Sequence, residues 1–189
     1  MCQALLCDKR FHQLLLQFDE DLAASTRAGG CRRCGGRLHS ARYRRKPRGA
    51  PRGLMPQYSQ RSSFCCAVDG CRKRHTAPSL RFLGRRVYLA AVVVLIAAMR
   101  CGLTSKRAQY LAQSLSVPRR TLERWRRWWL EAFAQSSFWK VACARFLPPV
   151  DIEALPASLL ERFSGQDARG RMIALLQFLS PLSTISDGA

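Results

Sequence analysis

Four cysteines in two close pairs are the residues best placed to do chemistry in this chain. Cys31 and Cys34 form a C-x2-C pair that is followed directly by two glycines. About thirty residues later, Cys66 and Cys71 form a C-x4-C pair with Gly70 available for a tight turn. Two such pairs supply the four thiolates of a closed tetrahedral zinc site. Because all four ligands are protein atoms, no position remains for a substrate water, and the pattern predicts a structural Zn²⁺ cofactor.

Other residues near these pairs are alternative ligands. Cys65 precedes Cys66 directly and offers the second pair an alternative first ligand, with Cys66 favoured. Two histidines are expected to be surface residues near phosphate, and an N-terminal C-x4-C pair is expected to be free thiols. These four alternatives are His39, His75, Cys2 and Cys7.

The charge of the chain is strongly one-sided. Lys and Arg total 32 against 12 Asp and Glu, for a formal net charge of +20 and a pI near 10.9. Between Arg27 and Arg127 there are 25 basic residues, with Asp69 and Glu123 as the only acids. Solubility does not need such an imbalance. The distribution favours a polyanionic partner, and nucleic acid is the usual one.

Residues 104–130 have the pattern of a helix-turn-helix. After a helix near 86–100, the sequence predicts a second helix near 105–114, a short turn, and a third helix near 118–133 beginning with Pro118. On a helical wheel, one side of the third helix carries Pro118, Leu122, Trp125 and Trp129. The opposite side carries Arg120, Arg124 and Arg127. This is the arrangement of a recognition helix in the major groove. The predicted DNA contacts of this region are Arg119, Arg120, Arg124, Arg127, Lys106 and Arg107.

A second basic region lies within the cysteine-bearing segment. Residues 42–57 (RYRRKPRGAPRGLMPQ) combine arginine with proline and glycine, which predicts a loop lying on phosphate. Basic residues also follow the last cysteine. The predicted phosphate contacts here are Arg44, Arg45, Lys46, Arg72, Lys73 and Arg74.

The predicted fold is mainly α, with a small four-cysteine zinc ribbon of short β-strands followed by a trihelical helix-turn-helix and C-terminal helices. An apolar stripe predicts an amphipathic helix over 9–24, made of Phe11, Leu14, Leu15, Phe18 and Leu22. Two further helices are predicted near 151–163 and 167–180. The predicted domains are 1–28 (amphipathic helix), 29–83 (ribbon with basic loop), 84–135 (helix-turn-helix) and 136–189 (C-terminal helices).

The length of the most apolar run and the residues that open the chain bear on the cellular location of the protein. The most apolar run, residues 87–99, has 13 residues and falls short of the roughly 20 that a membrane helix needs. No basic stretch followed by an apolar run opens the chain, as a secretory signal would require. We therefore expect no membrane association and a bacterial, nucleoid-associated protein of the reducing cytoplasm, where close cysteine pairs hold metal.

The motifs CRRCGG (31–36), CCAVDGCRKRHT (65–76) and SVPRRTLERWRRWW (116–129), with the helices between them, span about half the chain. Together they resemble the DNA-binding region of bacterial insertion-sequence transposases and of their accessory proteins. The resemblance implies recognition of element ends, with a transposase or recombinase subunit as a candidate partner and a homodimer as a candidate state. Full transposases of this layout carry a metal-dependent nuclease domain, for which the 56 residues after Phe133 are too few.

The sequence is therefore compatible with three functions. The leading one is a DNA-binding protein of a mobile genetic element without a nuclease domain. The alternatives are a sequence-specific transcriptional regulator and an RNA-binding zinc-ribbon protein. An enzyme is disfavoured because the sequence shows no catalytic nucleophile with a general base, no phosphate-binding glycine loop and no HExxH motif.

Overall fold

The structure is a computed structural model that describes residues 2–50, 53–84, 86–102, 113 and 117–184. It divides into two compact units. We call Cys7–Leu89 with Leu176–Ala189 the cysteine unit, and Met1–Leu6 with Ala90–Leu175 the helical unit. As predicted, the fold is mainly helical, with small antiparallel sheets in the cysteine-bearing part.

The N-terminal region forms a short helix α1 (Cys2–Cys7) and a long helix α2 (Lys9–Ala28). The carboxylate of Asp8 caps α2 by accepting a 2.9 Å hydrogen bond from the backbone N–H of Arg10. The helix ends at Ala28, with Gly29 as its C-cap. It is therefore four residues longer than the predicted 9–24.

The buried face of α2 differs from the predicted apolar stripe. Phe11 and Leu15 are buried as expected, but the other three members of the stripe are only half-buried. The polar residues His12 and Asp19 are buried instead. Both have hydrogen-bond partners in other segments, which compensates the cost of burying them. A wheel that counts only apolar residues assigns such positions to solvent.

Five short strands form two antiparallel sheets in the cysteine unit. They are β1 (Leu38–Ser40), β2 (Tyr43–Arg44), β3 (Gln60–Arg61), β4 (Ser63–Cys66) and β5 (Arg74–Thr76). The three-stranded sheet has the order β1-β4-β5, and β2 pairs with β3. The predicted loop over 42–57 thus contains strand β2, and a 3-10 turn (Pro56–Ser59) leads into β3.

One face of the three-stranded sheet belongs to a small core. Leu38 and Phe64 are buried there together with Ala23 of α2 and Ala77. Cys31 and Cys66 belong to the same cluster. A core of this size contributes little free energy on its own, and small domains of this kind commonly depend on a metal.

Besides most of α1, the helical unit contains α3 (Ala90–Gly102), α4 (Arg119–Arg127), α5 (Ser137–Ala142), α6 (Ala157–Leu160) and most of α7 (Ala168–Leu179). Helix α3 begins four residues later than the predicted helix over 86–100, and it includes Cys101 and Gly102 beyond the predicted end. Helix α4 continues into a π-helical turn over Trp128–Phe133, so the predicted third helix over 118–133 is confirmed with an altered second half. Short 3-10 turns follow α5 (Cys143–Arg145) and α7 (Ser180–Ser183).

The predicted helix over 151–163 is wrong, since helical structure is confined to the single turn α6. Asp151 instead organises a turn: its carboxylate accepts a 2.9 Å hydrogen bond from the backbone N–H of Glu153, and its carbonyl accepts one from Ser158. An aspartate side chain that bonds its own backbone competes with a helix. The predicted helix over 167–180 is confirmed by α7.

An aromatic core stabilises the helical unit. Trp125, Trp129, Phe133 and Trp139 are all buried. The rings of Trp129 and Phe133 lie 4.8 Å apart, and those of Phe133 and Trp139 lie 5.1 Å apart. Such pairs contribute about 0.5–1.5 kcal/mol each beyond the area they bury. The predicted aromatic face of the third helix is therefore its core face.

The second helix of the predicted helix-turn-helix, with Lys106 and Arg107, lies outside the described residues except for Gln113, which is helical. Among the helices that the structure describes, none is both long and apolar enough to span a membrane.

Candidate metal centre and basic surfaces

The first cysteine pair lies in a tight turn directly after α2. Gly30, at φ +69°, directs the chain away from the helix. The backbone N–H of Cys31 donates to the carbonyl of Gly36 at 2.9 Å, and the N–H of Gly35 donates back to the carbonyl of Cys31 at 2.7 Å. These two bonds close the turn and present the sulfurs of Cys31 and Cys34 on the same side.

The second cysteine pair lies in the connection between β4 and β5. Cys66 is the last residue of β4, and its backbone N–H donates to the carbonyl of Lys73 at 3.0 Å. The N–H of Cys71 donates to the carbonyl of Val68 at 3.1 Å. Gly70 adopts φ +81°, a left-handed conformation that glycine adopts without strain.

The four predicted ligand sulfurs meet at one point. The Sγ atoms of Cys31, Cys34, Cys66 and Cys71 all lie within 4.8 Å of one another. The sulfurs of Cys31 and Cys71 are 3.7 Å apart, and those of Cys34 and Cys66 are 3.5 Å apart. A tetrahedral zinc with Zn–S bonds of about 2.3 Å places its sulfurs about 3.8 Å apart. The four cysteines thus form a plausible metal site, as predicted.

Gly36 lies directly against this cluster. A Cβ atom at this position would be 3.3 Å from the sulfurs of both Cys34 and Cys66, and it would overlap a methyl group of Val68. The close approach of the backbone to the sulfurs therefore depends on the missing side chain.

The choice between Cys65 and Cys66 is decided by the alternation of side chains along β4. Cys66 shares the core face with Leu38, whereas Cys65 points to the opposite face, between His39 of β1 and Arg74 of β5 in the strand register. The sulfur of Cys65 donates to the carbonyl of Arg72 at 3.5 Å. Cys65 is not part of the four-sulfur cluster, and neither is the exposed Cys7.

His75 is a site residue that sequence reasoning assigned to the surface. Its Nε2 atom lies 3.2 Å from the sulfur of Cys31, and its ring is half-buried. In the register of β5 it lies opposite Phe64, on the core face of the sheet, while His39 is exposed on the other face. The available signal was alternation: once His75 pairs with Phe64, it shares the face of Phe64 and of Cys66, which lies two residues further along β4.

The ionisation of the clustered thiols is unequal. Burial raises the pKa of Cys31, but hydrogen bonds from the backbone of Arg33, from His75 and from the backbone of Cys34 outweigh it and lower that pKa to about 5. At Cys66, the backbone hydrogen bond at Val68 lowers the pKa, yet burial and the neighbouring thiols raise it to about 12. One thiolate disfavours the next, and a bound cation removes this repulsion.

The basic residues near the metal site differ in how far they are free to bind a partner. Lys73 and Arg74 are exposed, as are Arg44 and Lys46 of the basic segment. Arg72 is exposed but forms an ion pair with Asp69. Arg45 is half-buried: its Nη2 donates to the carbonyl of Arg86 at 2.8 Å, and its guanidinium lies 5.2 Å from the ring centre of Phe82. Its contacts therefore stabilise the fold of the cysteine unit.

The polar face of α4 carries the predicted recognition arginines. Arg120, Arg124 and Arg127 are exposed, opposite the buried Leu122 and Trp125. Arg119 is also exposed and pairs with Glu123 at 2.9 Å. Pro118, which the wheel placed on the apolar face, is exposed at the N-terminus of the helix, and the neighbouring Val117 is buried in its stead.

A buried polar network in the cysteine unit escaped sequence reasoning. Asp19 of α2 accepts hydrogen bonds from the backbone N–H of Leu80 at 2.6 Å, from Arg81 Nε at 2.7 Å and from the hydroxyl of Ser79. Arg81 also donates to the carbonyls of Tyr58 and Gln60. These partners lie about sixty residues from Asp19, a separation at which a sequence pattern carries no pairing signal.

The C-terminal segment of the cysteine unit joins the same network. The hydroxyl of Ser183 accepts a 2.8 Å hydrogen bond from the backbone N–H of Ser79. The buried Arg61 donates to both the hydroxyl and the carbonyl of Ser183 at 3.2 Å. The ring of Phe82 lies beneath the guanidinium groups of Arg61 and Arg81. Residues after α7 therefore contribute to the interior of this unit.

The fold and the sulfur cluster define a mainly helical protein with a four-cysteine cluster near short antiparallel strands, which forms a plausible metal site like that of a zinc ribbon. Comparison with known proteins adds nothing to that class, since no family model, curated protein or solved structure matches the chain.

Proposed function

We propose that the four-cysteine cluster holds a structural Zn²⁺ ion. Cys31, Cys34, Cys66 and Cys71 would be its ligands, with sulfur separations close to those of a tetrahedral thiolate site. A set of four thiolates leaves no coordination position for a substrate, so the metal would have a folding role. We therefore propose a binding protein and not an enzyme.

We further propose that the protein binds DNA. The observation that carries this proposal is the division of α4 into a buried aromatic face and an exposed face bearing Arg120, Arg124 and Arg127. An anchored helix with a row of free guanidinium groups suits the major groove, where arginine recognises guanine with two hydrogen bonds. The exposed Arg44, Lys46 and Lys73 of the cysteine unit would add contacts to phosphates.

The narrower proposal is a role in a mobile genetic element, as a transposase-like or accessory DNA-binding protein. It is supported by the resemblance of residues 31–36, 65–76 and 116–129 to the DNA-binding region of insertion-sequence transposases. A transposase or recombinase subunit would then be the partner protein. A transcriptional regulator would use the same contacts on unrelated promoters.

The test is to recover and sequence genomic DNA fragments bound by the zinc-loaded protein in excess competitor DNA. We expect enrichment of defined sequences, and repeated element termini among them would support the mobile-element role. Enrichment of promoters alone would favour a regulator. Recovery no better than random fragments would overturn the assignment of α4 as a recognition helix.

RNA is a second candidate because one aromatic side chain is exposed within the basic segment. Tyr43 has 41% of its surface accessible and lies next to Arg44 on strand β2. Unpaired RNA bases stack on aromatic rings in such positions. Competition of labelled duplex DNA by single-stranded RNA of matched length separates the two, since a DNA-binding protein retains its duplex in excess RNA.

A further inference from the structure

A polar groove in the cysteine unit lies apart from the sulfur cluster. It is lined by the C-terminal half of α2 and by residues in and beside β1 and β4, Phe64 among them. Its volume is about 230 Å³, below the roughly 300–1,000 Å³ of pockets that enclose a drug-sized ligand. The groove is thus of a size for one small group. The lining residues that carry the argument are Glu20, Ala24, Arg27, Ser40, Arg42 and Ser62.

Two arginines, whose guanidinium groups have no partner among the described residues, line this groove. Arg27 lies in the last turn of α2, and Arg42 follows β1. Both are exposed, and within the described ranges neither side chain forms an ion pair or a hydrogen bond. Glu20 lines the same groove without pairing with either of them. The groove therefore has a formal charge of +1 and two unengaged forks of N–H donors, whose geometry matches a phosphate.

Serine hydroxyls complete the donor set. Ser40 and Ser62 line the groove, and their hydroxyls make no hydrogen bond to other residues that the structure describes. Ser63 already donates to the carbonyl of His75. The small side chain of Ala24, exposed on α2, leaves the space above these groups open. A ligand in the groove would therefore meet two arginines, neutral hydroxyl donors and a single carboxylate.

We infer that this groove binds one phosphate group, and that in the working protein the phosphate belongs to the backbone of a DNA strand. The identity of the strand rests on the proposed function. Arg27 and Arg42 donate to the phosphate oxygens, and the hydroxyls of Ser40 and Ser62 occupy the remaining lone pairs. The carboxylate of Glu20 partly offsets the charge of the two arginines, and the small volume of the groove admits a single group, which sets the register of the strand.

The test measures DNA affinity over a range of salt concentrations for charge-altering variants of the full zinc-loaded chain. Arg27→Ala and Arg42→Ala should each weaken binding about tenfold, the loss of one charge-assisted contact, and lower the salt slope by about 1. Glu20→Gln should tighten binding. Arg10→Ala is the matched control, because it removes the same charge from the exposed side of α2 about 25 Å away and should change affinity less than about twofold.

A steric pair tests the groove without changing charge. Ala24→Leu fills the space and should weaken binding as much as Arg27→Ala. Ser25→Leu adds the same side chain one residue later, about 100° around the helix axis, and should have no effect. If Arg27→Ala, Arg42→Ala and Ala24→Leu all bind DNA as their controls do, the groove inference is overturned while DNA binding stands.

A titration with inorganic phosphate, followed by the backbone amide NMR signals of the zinc-loaded chain, separates the two sources of phosphate. Saturable shifts at Arg27, Arg42 and Ser62 that disappear in Arg42→Ala support the groove. If the wild-type chain binds no DNA, the proposed function fails, and these shifts identify the groove as a site for free phosphate. No DNA binding together with no shifts overturns the inference.

Discussion

The Nε2 atom of His75 lies 3.2 Å from the sulfur of Cys31, on the core face of the three-stranded sheet. This imidazole contacts one of the four clustered sulfurs, but His75 does not belong to the set of four candidate ligands. A donor in this position orients a thiolate and delocalises part of its charge, as residues around metal ligands commonly do. We therefore expect His75 to position the sulfur of Cys31 at the candidate metal site.

Replacing His75 with alanine should weaken zinc binding about 10–100-fold while one metal ion per chain is still bound. The reason is that all four sulfurs remain and only their orientation and charge balance change. Competition with a chromophoric chelator measures the affinity. His39→Ala is the control, since His39 is exposed on the opposite face. Equal affinities in the two variants would contradict the role of His75.

Cys66→Ser should abolish stoichiometric zinc binding, whereas Cys65→Ser should leave one zinc per chain. The two residues are adjacent, but only Cys66 faces the other three sulfurs. Metal content by mass spectrometry and the far-UV signal of the cysteine unit after chelation are the measurements. Because structural zinc contributes folding free energy, removal of the metal should also loosen the unit. Loss of zinc in Cys65→Ser would show that the ligands of the second cysteine pair are wrongly assigned.

Asp19→Ala should lower the free energy of unfolding by about 3–5 kcal/mol, because it leaves Arg81 as an unpaired buried charge. Both side chains are about 5% exposed or less. Denaturant unfolding of the zinc-loaded chain measures the change. Asp21→Ala removes the same group from an exposed position on α2 and should change stability by less than about 0.5 kcal/mol.

Arg45→Ala should destabilise the cysteine unit by about 1–2 kcal/mol, since Arg45 donates to the carbonyl of Arg86 and covers the ring of Phe82. Arg44→Ala should leave stability unchanged and weaken binding to all DNA sequences alike, with a smaller salt slope. Thermal unfolding and DNA titrations on both variants separate the two effects. A stability loss in Arg44→Ala that equals that of Arg45→Ala would remove the distinction.

Arg124→Ala should relax sequence preference, because the proposed contact is a bidentate pair with a base worth about 1–3 kcal/mol of discrimination. Affinity for random DNA should change far less than affinity for the enriched sequence. The measurement compares both DNAs at one salt concentration, with Arg44→Ala as the variant that lowers both equally. Equal losses on cognate and random DNA in Arg124→Ala would contradict the recognition role.

Several features were predictable from the sequence because they depend on local spacing. Two cysteine pairs with turn glycines predicted a four-sulfur cluster, and the structure brings these sulfurs together. The period of Leu122, Trp125 and Trp129 predicted the buried face of α4 and of the π-helical turn after it, and therefore the exposed arginines of α4. The mainly helical class followed from the same periodicity, which depends on the helix geometry itself.

Other features were decided by contacts between distant segments. Asp19 is buried because Ser79, Leu80 and Arg81 supply its hydrogen bonds. The residues next to Asp19 in the sequence do not predict these partners. The roles of Arg44 and Arg45 differ because one side chain faces solvent and the other reaches Arg86 and Phe82. A polar residue's burial depends on whether the folded chain offers it a partner, so only the tertiary structure determines it.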